Sequence, residues 1–222
     1  MKFLRRLFKD KKGSGLVEKI MVTAFAVAAG GAVILWTSNV IIESKNKPIS
    51  GILDGDGGTL FADEIEEGSE GLQWGTIKIG KKVAGYQVTG YEGSSSTITI
   101  PSRYNDKPVK SIGVDAFGGN ETIQTVIIGS GGRFEIKDHA FEGCSNLKNI
   151  TLPSDLGRIE CGAFECCGMS SIHLPGDIAV VEAGVFTDCD NLTDIYCVSQ
   201  SKPDGWNDNW LSNCSATVHW GS

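Results

Sequence analysis

Apolar positions fall into two regimes along the 222 residues. From Ile20 to Ile42 they are contiguous, and IMVTAFAVAAGGAVILWTSNVII holds 23 residues without a charge. A helix rising about 1.5 Å per residue makes such a run long enough for a bilayer core of about 30 Å. Gly30 and Gly31 would weaken a soluble helix but are tolerated in membrane helices. Beyond residue 72 the apolar residues come singly or in alternation, and their spacing repeats. An Ala/Val-Phe pair recurs at Ala116-Phe117, Ala140-Phe141, Ala163-Phe164 and Val185-Phe186, with successive Phe 24, 23 and 22 residues apart. Five residues before each Phe stands Ile112, Ile136, Ile159 or Val181, and three after it Asn120, Cys144, Cys167 or Cys189. Apolar sets follow at Ile123-Val126-Ile128, Leu147-Ile150-Leu152, Met169-Ile172-Leu174 and Leu192-Ile195-Cys197. Pro153 and Pro175 close two of them, and Pro101 closes an earlier run after Ile98 and Ile100.

Self-similarity at a near-constant period is the signature of a stacked repeat. Each period predicts one short strand and one turn of helix or irregular coil. Alternation within the strand turns Ile150 and Leu152 inward and Asn149 and Thr151 outward. One unit cannot bury its apolar face, whereas four or five stacked units bury a continuous ladder. The predicted organisation is a basic leader (1–13), a membrane helix (14–42), an acidic linker (43–72), an N-terminal β cap (73–100), repeats (101–197) and a C-terminal cap (198–222). Trp74, Ile77, Val83, Tyr86 and Val88 mark the first cap, and Trp206, Trp210 and Trp220 the non-repeating tail.

Over about residues 86–197 these columns resemble the bacterial leucine-rich repeats of the BspA type, whose units read roughly I-x-x-x-AF-x-x-C-x-x-L-x-x-I-x-IP. The tail IYCVSQSKPDGWNDNWLSNCSATVHWG is similar to the terminal segment that many such proteins carry. The resemblance implies a surface-displayed or secreted bacterial protein that binds host, matrix or other cells. The fold class expected is α+β: an N-terminal transmembrane helix followed by a leucine-rich-repeat solenoid rich in short parallel β-strands.

Charge changes the reading of the N-terminus. Residues 1–13 carry six positive side chains and one negative, and a basic flank stays cytoplasmic, which places everything after Ile42 outside. A cleaved secretory signal has an apolar region of about 7–15 residues and a small-residue cleavage site, unlike this one. The segment Gly13-Ser14-Gly15-Leu16-Val17-Glu18 resembles a type IV prepilin N-terminus. The resemblance implies that a prepilin peptidase cuts after Gly13, leaving Ser14 first, and that the new amine of one pilus subunit pairs with Glu18 of another. An acid at the end of a membrane-embedded helix is costly unless paired. Ser14 stands where that family commonly has an aromatic residue, and a simple membrane anchor through residues 20–42 remains the alternative.

The linker holds eight acids against two lysines among Gly clusters, as a solvated spacer does. Asp54-Gly-Asp56-Gly-Gly has a faint calcium-loop character but lacks the third acid and the placed Gly. The formal charge is −7 over the chain and −12 once residues 1–13 are removed, so nucleic acid is not an expected partner.

All seven Cys follow the apolar helix. Cys144, Cys167 and Cys189 share a column and are expected to be packed thiols, because parallel rungs seldom align Cβ vectors for a disulfide. Cys197 and Cys214 flank the tail and are the candidate bridge. Cys161, Cys166 and Cys167 lack a C-x2-C pair or a nearby His set, so no metal site or cofactor is expected. His139 falls in a turn, His173 on a strand and His219 in the tail. Without a recognisable triad, carboxylate pair or phosphate loop, an enzyme is not the expected class.

What remains is a surface. Strands stacked in register would align Thr97 and Thr99, Thr125 and Ile127, Asn149 and Thr151, Ser171 and His173, and Asp194 and Tyr196 on the outer face. This strip is either a contact surface for an extracellular protein or glycan or an ordinary solvated sheet face. The expected function is a cell-surface adhesion or binding protein displayed as a pilin-like subunit. The alternatives are an anchored interaction protein that does not polymerise and, third, an exported enzyme.

Overall fold

In the computed structural model, residues 68–222 are described. The basic leader, Gly13, Ser14, Glu18, the predicted membrane span 20–42 and the linker up to residue 67 lie outside the described residues. Thirteen strands follow in order: β1 (Leu72–Ile79), β2 (Lys82–Tyr91), β3 (Thr97–Ile100), β4 (Arg103–Tyr104), β5 (Lys107–Ile112), β6 (Thr125–Ile128) and β7 (Phe134–Ile136). Then come β8 (Asn149–Thr151), β9 (Leu156–Ile159), β10 (Ser171–Leu174), β11 (Val180–Val181), β12 (Asp194–Cys197) and β13 (Thr217–Trp220).

The chain alternates between two faces. One sheet has the order β1-β2-β5-β7-β9-β11, with β4 paired to β5. The opposite face carries β3-β6-β8 and β10-β12-β13, with β8 and β10 side by side. Pairing between repeats is parallel throughout, whereas β1 and β2 form an antiparallel hairpin at the N-terminal end. This is a strand-rich solenoid in which each period supplies a strand to each sheet. The sequence pattern predicts only one strand per period. The second is the short segment five residues upstream of each Phe, where a single inward Ile gives little alternation.

Among the described residues there is no helix, and none long and apolar enough to cross a membrane. Of the expected class the strand-rich solenoid is present, the turns between strands take the irregular-coil form rather than a helical turn, and the transmembrane helix lies outside the described residues. The hydrogen bonding of the Phe turns gives the reason. Alternate amides bond three residues back, as from Ala140, Glu142 and Cys144 to the carbonyls of Lys137, His139 and Phe141. The intervening amides of His139, Phe141 and Gly143 donate to Cys161, Ala163 and Glu165 of the next rung. A helix needs every interior amide for its own axis, and half of these are committed sideways. His139 and Gly143 also take positive φ, which breaks any continuing helical turn.

The core is a column of rings. Phe117, Phe141, Phe164 and Phe186 are buried and stack nearly parallel, with centroids 5.0, 5.4 and 5.6 Å apart. Tyr91 closes the stack at one end and Trp210 at the other. Trp206 seals the C-terminal end, its Nε1 donating to the Ile178 carbonyl at 2.9 Å and its ring resting against Trp210 and Trp220. At the other end Trp74 stacks on Tyr104, which meets Tyr86 edge-on.

The cysteines correct a second expectation: all seven are free, including Cys197 and Cys214. Cys197 ends β12 inside the core, whereas Cys214 belongs to a turn. The Phe186 amide donates to Trp210, as the Phe164 amide does to Val185. Leu211 is therefore the backbone equivalent of Phe186, and Cys214 continues the column of Cys144, Cys167 and Cys189. In that column the thiols of Cys144, Cys167 and Cys189 donate to the carbonyls of Phe117, Phe141 and Phe164 at 3.0–3.1 Å. They point along the stack at carbonyls rather than at one another.

Candidate functional site

The predicted strip lies on the face formed by β3, β6, β8, β10, β12 and β13. Register aligns Thr97, Thr125 and Asn149 in one outward column and Thr99, Ile127 and Thr151 in the next. Beyond the β8–β10 junction the columns continue as Ser171, Asp194 and Thr217, and as His173, Tyr196 and His219. Asn149 and Ser171 are exposed, and Thr125, Thr151, His173, Asp194 and Tyr196 are half-buried. Ile127 departs from the expectation of an exposed residue: it retains only 8% exposure. It is the middle strand's residue, flanked at rung distance by β-branched Thr99 and Thr151.

The chemically distinctive part is the C-terminal end of the strip. Residues in register on neighbouring strands sit about 4.8 Å apart, close to the separation at which flat rings stack. His173 and Tyr196 accordingly lie 4.6 Å apart at 18°, and Tyr196 and His219 4.7 Å apart at 15°. Stacked in this way, the rings cover one another's inner faces and leave polar edges for contact. Nε2 of His219 lies 2.8 Å from Oδ1 of Asp194, whose Oδ2 accepts from Thr193 Oγ1 at 2.8 Å. The His219 hydrogen bond, then that of Thr193, holds the Asp194 carboxyl below its ordinary range. Burial lowers the pKa of His173, which favours its neutral imidazole.

His219 is the member that sequence reasoning leaves out, through assignment to a non-repeating tail. A signal existed: Thr217-Val218-His219-Trp220 repeats the alternation of Ser171-Ile172-His173-Leu174. The three cysteines weighed as a metal cluster are not brought together as one. Cys167 is buried in the column, Cys166 is exposed and Cys161 is half-buried.

The opposite sheet carries a charge network instead of rings. Lys137 bonds Glu135 and Glu160 at 2.6 and 2.9 Å, and Arg158 bonds Glu182 at 2.7 Å. Beside it runs a groove of about 540 Å³ lined by Ile77, Lys110, Arg133, Glu135 and Lys137. Both cations of this network are taken up by its carboxylates, as in ordinary surface pairs.

Two-faced parallel stacking, one Phe turn per rung and capped ends define a leucine-rich-repeat solenoid. Residues 110–217 match the family model described as BspA type Leucine rich repeat region, in six copies. That match reaches β13 and so includes the tail among the repeats. Among solved structures, the T. pallidum leucine-rich repeat protein is 23% identical with a TM-score of 0.52, over 71% of this chain and 82% of that one. A leucine-rich repeat protein from Bacteroides capillosus is 20% identical with a TM-score of 0.42, over 65% of this chain and 97% of that one. A leucine rich cell surface protein from Faecalibacterium prausnitzii is 20% identical with a TM-score of 0.44, over 69% of this chain and 54% of that one. The first of these likenesses shares the fold. No curated protein matches the sequence significantly.

Proposed function

We propose that the protein is a bacterial surface-displayed interaction module that presents its ring-bearing sheet face to an extracellular protein or glycan. The observation that carries this reading is the continuous ladder His173–Tyr196–His219 beside Asp194, an aromatic and polar contact strip on an otherwise small-residue face. Aromatic side chains with polar edges are the residue type that dominates binding hot spots. The repeat region and the uncharged 23-residue segment behind a basic flank support display outside the membrane. The role is binding rather than catalysis. Full-length protein is to be titrated against arrayed matrix proteins and glycans, alongside a His173→Ala/Tyr196→Ala variant. Binding weakened by about tenfold or more is expected; equal binding by both proteins would assign contact to another face.

Within this reading the protein is a pilin-like subunit, cut between Gly13 and Ser14. Assembly would give repeated weak contacts avidity. The second reading, an anchored protein that does not polymerise, rests on the same apolar segment and differs at Glu18. Mass spectrometry of the native N-terminus separates them: Ser14 as first residue supports the pilin-like role, and an intact leader in cells with active prepilin peptidase removes it.

A further inference from the structure

The Phe turns form a column of their own, and three consecutive turns bring together side chains that are distant in sequence. His139 and Glu142 follow β7, Glu165 and Cys166 follow β9, and Asp188 follows β11. One ligand atom each from His139, Glu142 and Glu165 lies within 4.8 Å of the others. Glu165, Cys166 and Asp188 form a second such group that shares Glu165.

Three observations distinguish the first group from a solvated acidic patch. Nδ1 of His139 is shielded from solvent and has no hydrogen-bond partner, although Glu142 Oε2 lies 2.8 Å away. The two atoms are in contact without hydrogen-bond alignment, so the nitrogen is an orphaned acceptor or donor. The imidazole also occupies a cradle that only glycine leaves open. A Cβ on Gly162 would stand 2.5 Å from Nδ1 and 3.1 Å from Oε2 of Glu165. Finally, Glu142 and Glu165 hold equivalent places in adjacent rungs, aligned by the bond from Gly143 to the Glu165 carbonyl. Two carboxylates one rung apart repel, and among the described residues neither pairs with Lys or Arg.

One imidazole nitrogen and two carboxylate oxygens are a donor set suited to zinc and its neighbours in the first transition row. We propose that His139, Glu142 and Glu165 bind one divalent transition-metal ion of the zinc class, with the remaining coordination positions left to water. The ion would satisfy the orphaned nitrogen, neutralise the stacked carboxylates and tie two neighbouring rungs together. Sequence motifs do not reveal this set, because Glu165 lies 26 residues from His139 and only stacking joins them.

The test uses the full-length chain in detergent, stripped with a chelator and kept in excess magnesium to occupy nonspecific acidic sites. Cobalt is titrated first and then displaced with zinc. The expected result is one tight equivalent, visible as ligand-field absorption, with a raised thermal midpoint. Binding should weaken in acid, because metal ligands must be deprotonated and protons compete with the ion for them. His139→Gly leaves the positive φ unstrained, as Gly162 does in the next rung, and together with Glu165→Gln should weaken binding by about tenfold or more. Circular dichroism of both variants should match the parent. Absence of a tight equivalent, or undiminished affinity in His139→Gly, would overturn the site. Cys166→Ser should leave affinity unchanged. A thiolate-to-cobalt charge-transfer band abolished by Cys166→Ser would place the ion in the second group and refute the assignment to His139.

Discussion

A thiol in the Phe turn performs a task that no other small residue does as well: it packs as an apolar group and donates weakly to a carbonyl of the rung before. Burial pushes the thiol of Cys144 up to about 11 and those of Cys189 and Cys197 up to about 12, and raises that of Cys167 as well. In the unfolded chain these thiols ionise near 9.0, so the folded state binds more protons above that pH. Their stabilising effect is complete below the ordinary thiol value and is lost as pH rises toward the folded values. The urea midpoint should therefore fall between about pH 8 and about pH 11, and fall less in a Cys189→Ala variant; a flat profile would refute buried, protonated thiols. Asp194 works in the opposite sense. Its folded carboxyl is held down first by His219, so His219→Ala should move its titration, followed by carboxyl NMR, up toward the ordinary 3.8. The Cys column was legible as a recurring letter three residues after Phe. The fate of Cys214 was not, because its repeat has three residues from Cys to strand where the preceding one, from Cys189 to Asp194, has five.

At the scale of the element, the turn and its strand act as a single rung. Phe164, like Phe141, is an interior member of the stack, with a Phe ring on each side. Removing it leaves a cavity bounded by rigid rings, so Phe164→Ala should cost about 3–5 kcal/mol in denaturant unfolding. Tyr91 is half-buried at the stack's edge, and Tyr91→Ala should cost less. The rung from β9 to β10 is one residue shorter between Phe and the next apolar position, five residues against six elsewhere. The missing residue brings Gly168 against the preceding rung: a Cβ there would fall 1.8 Å from the Ser145 carbonyl oxygen. That shortening accounts for the break between β8 and β10, where strands run side by side without ladder pairing. Gly168→Ala should lower the thermal midpoint by several degrees, whereas Gly118→Ala, with its nearest atom at 3.4 Å, should be tolerated. Equal midpoints for the two variants would show that the close approach is not a constraint.

For the whole molecule, the decisive features are the ends. A stack of rungs exposes an apolar face at each terminus, and stability propagates only if both faces are closed. Trp206 and Trp210 close one of them while almost fully buried, at 3% and 4% exposure. Trp210→Ala should therefore expose the end of the Phe stack and release the last rung first, seen as early loss of amide protection in β12 and β13 during hydrogen exchange. Uniform loss along the domain would instead indicate a single cooperative unit. If the proposed pilin-like role holds, Glu18→Ala should impair assembly into a pilus without altering localisation, whereas a non-polymerising anchored protein should be indifferent to it. Periodicity alone determined the repeat, its inward residues and the outward register of the strip, because each depends on side-chain spacing within one rung or between equivalent rungs. The basic leader and uncharged segment are likewise readable as local composition. Only tertiary structure decided that every rung contributes to two sheets and that the Phe turns are not helical, since half of their amides serve the neighbouring rung. It also decided that Cys214 joins the turn column rather than Cys197, that His219 completes the ring ladder, and that His139 converges with Glu165. Those outcomes depend on which residues of different rungs lie side by side, and small changes in turn length set that alignment without altering the local pattern.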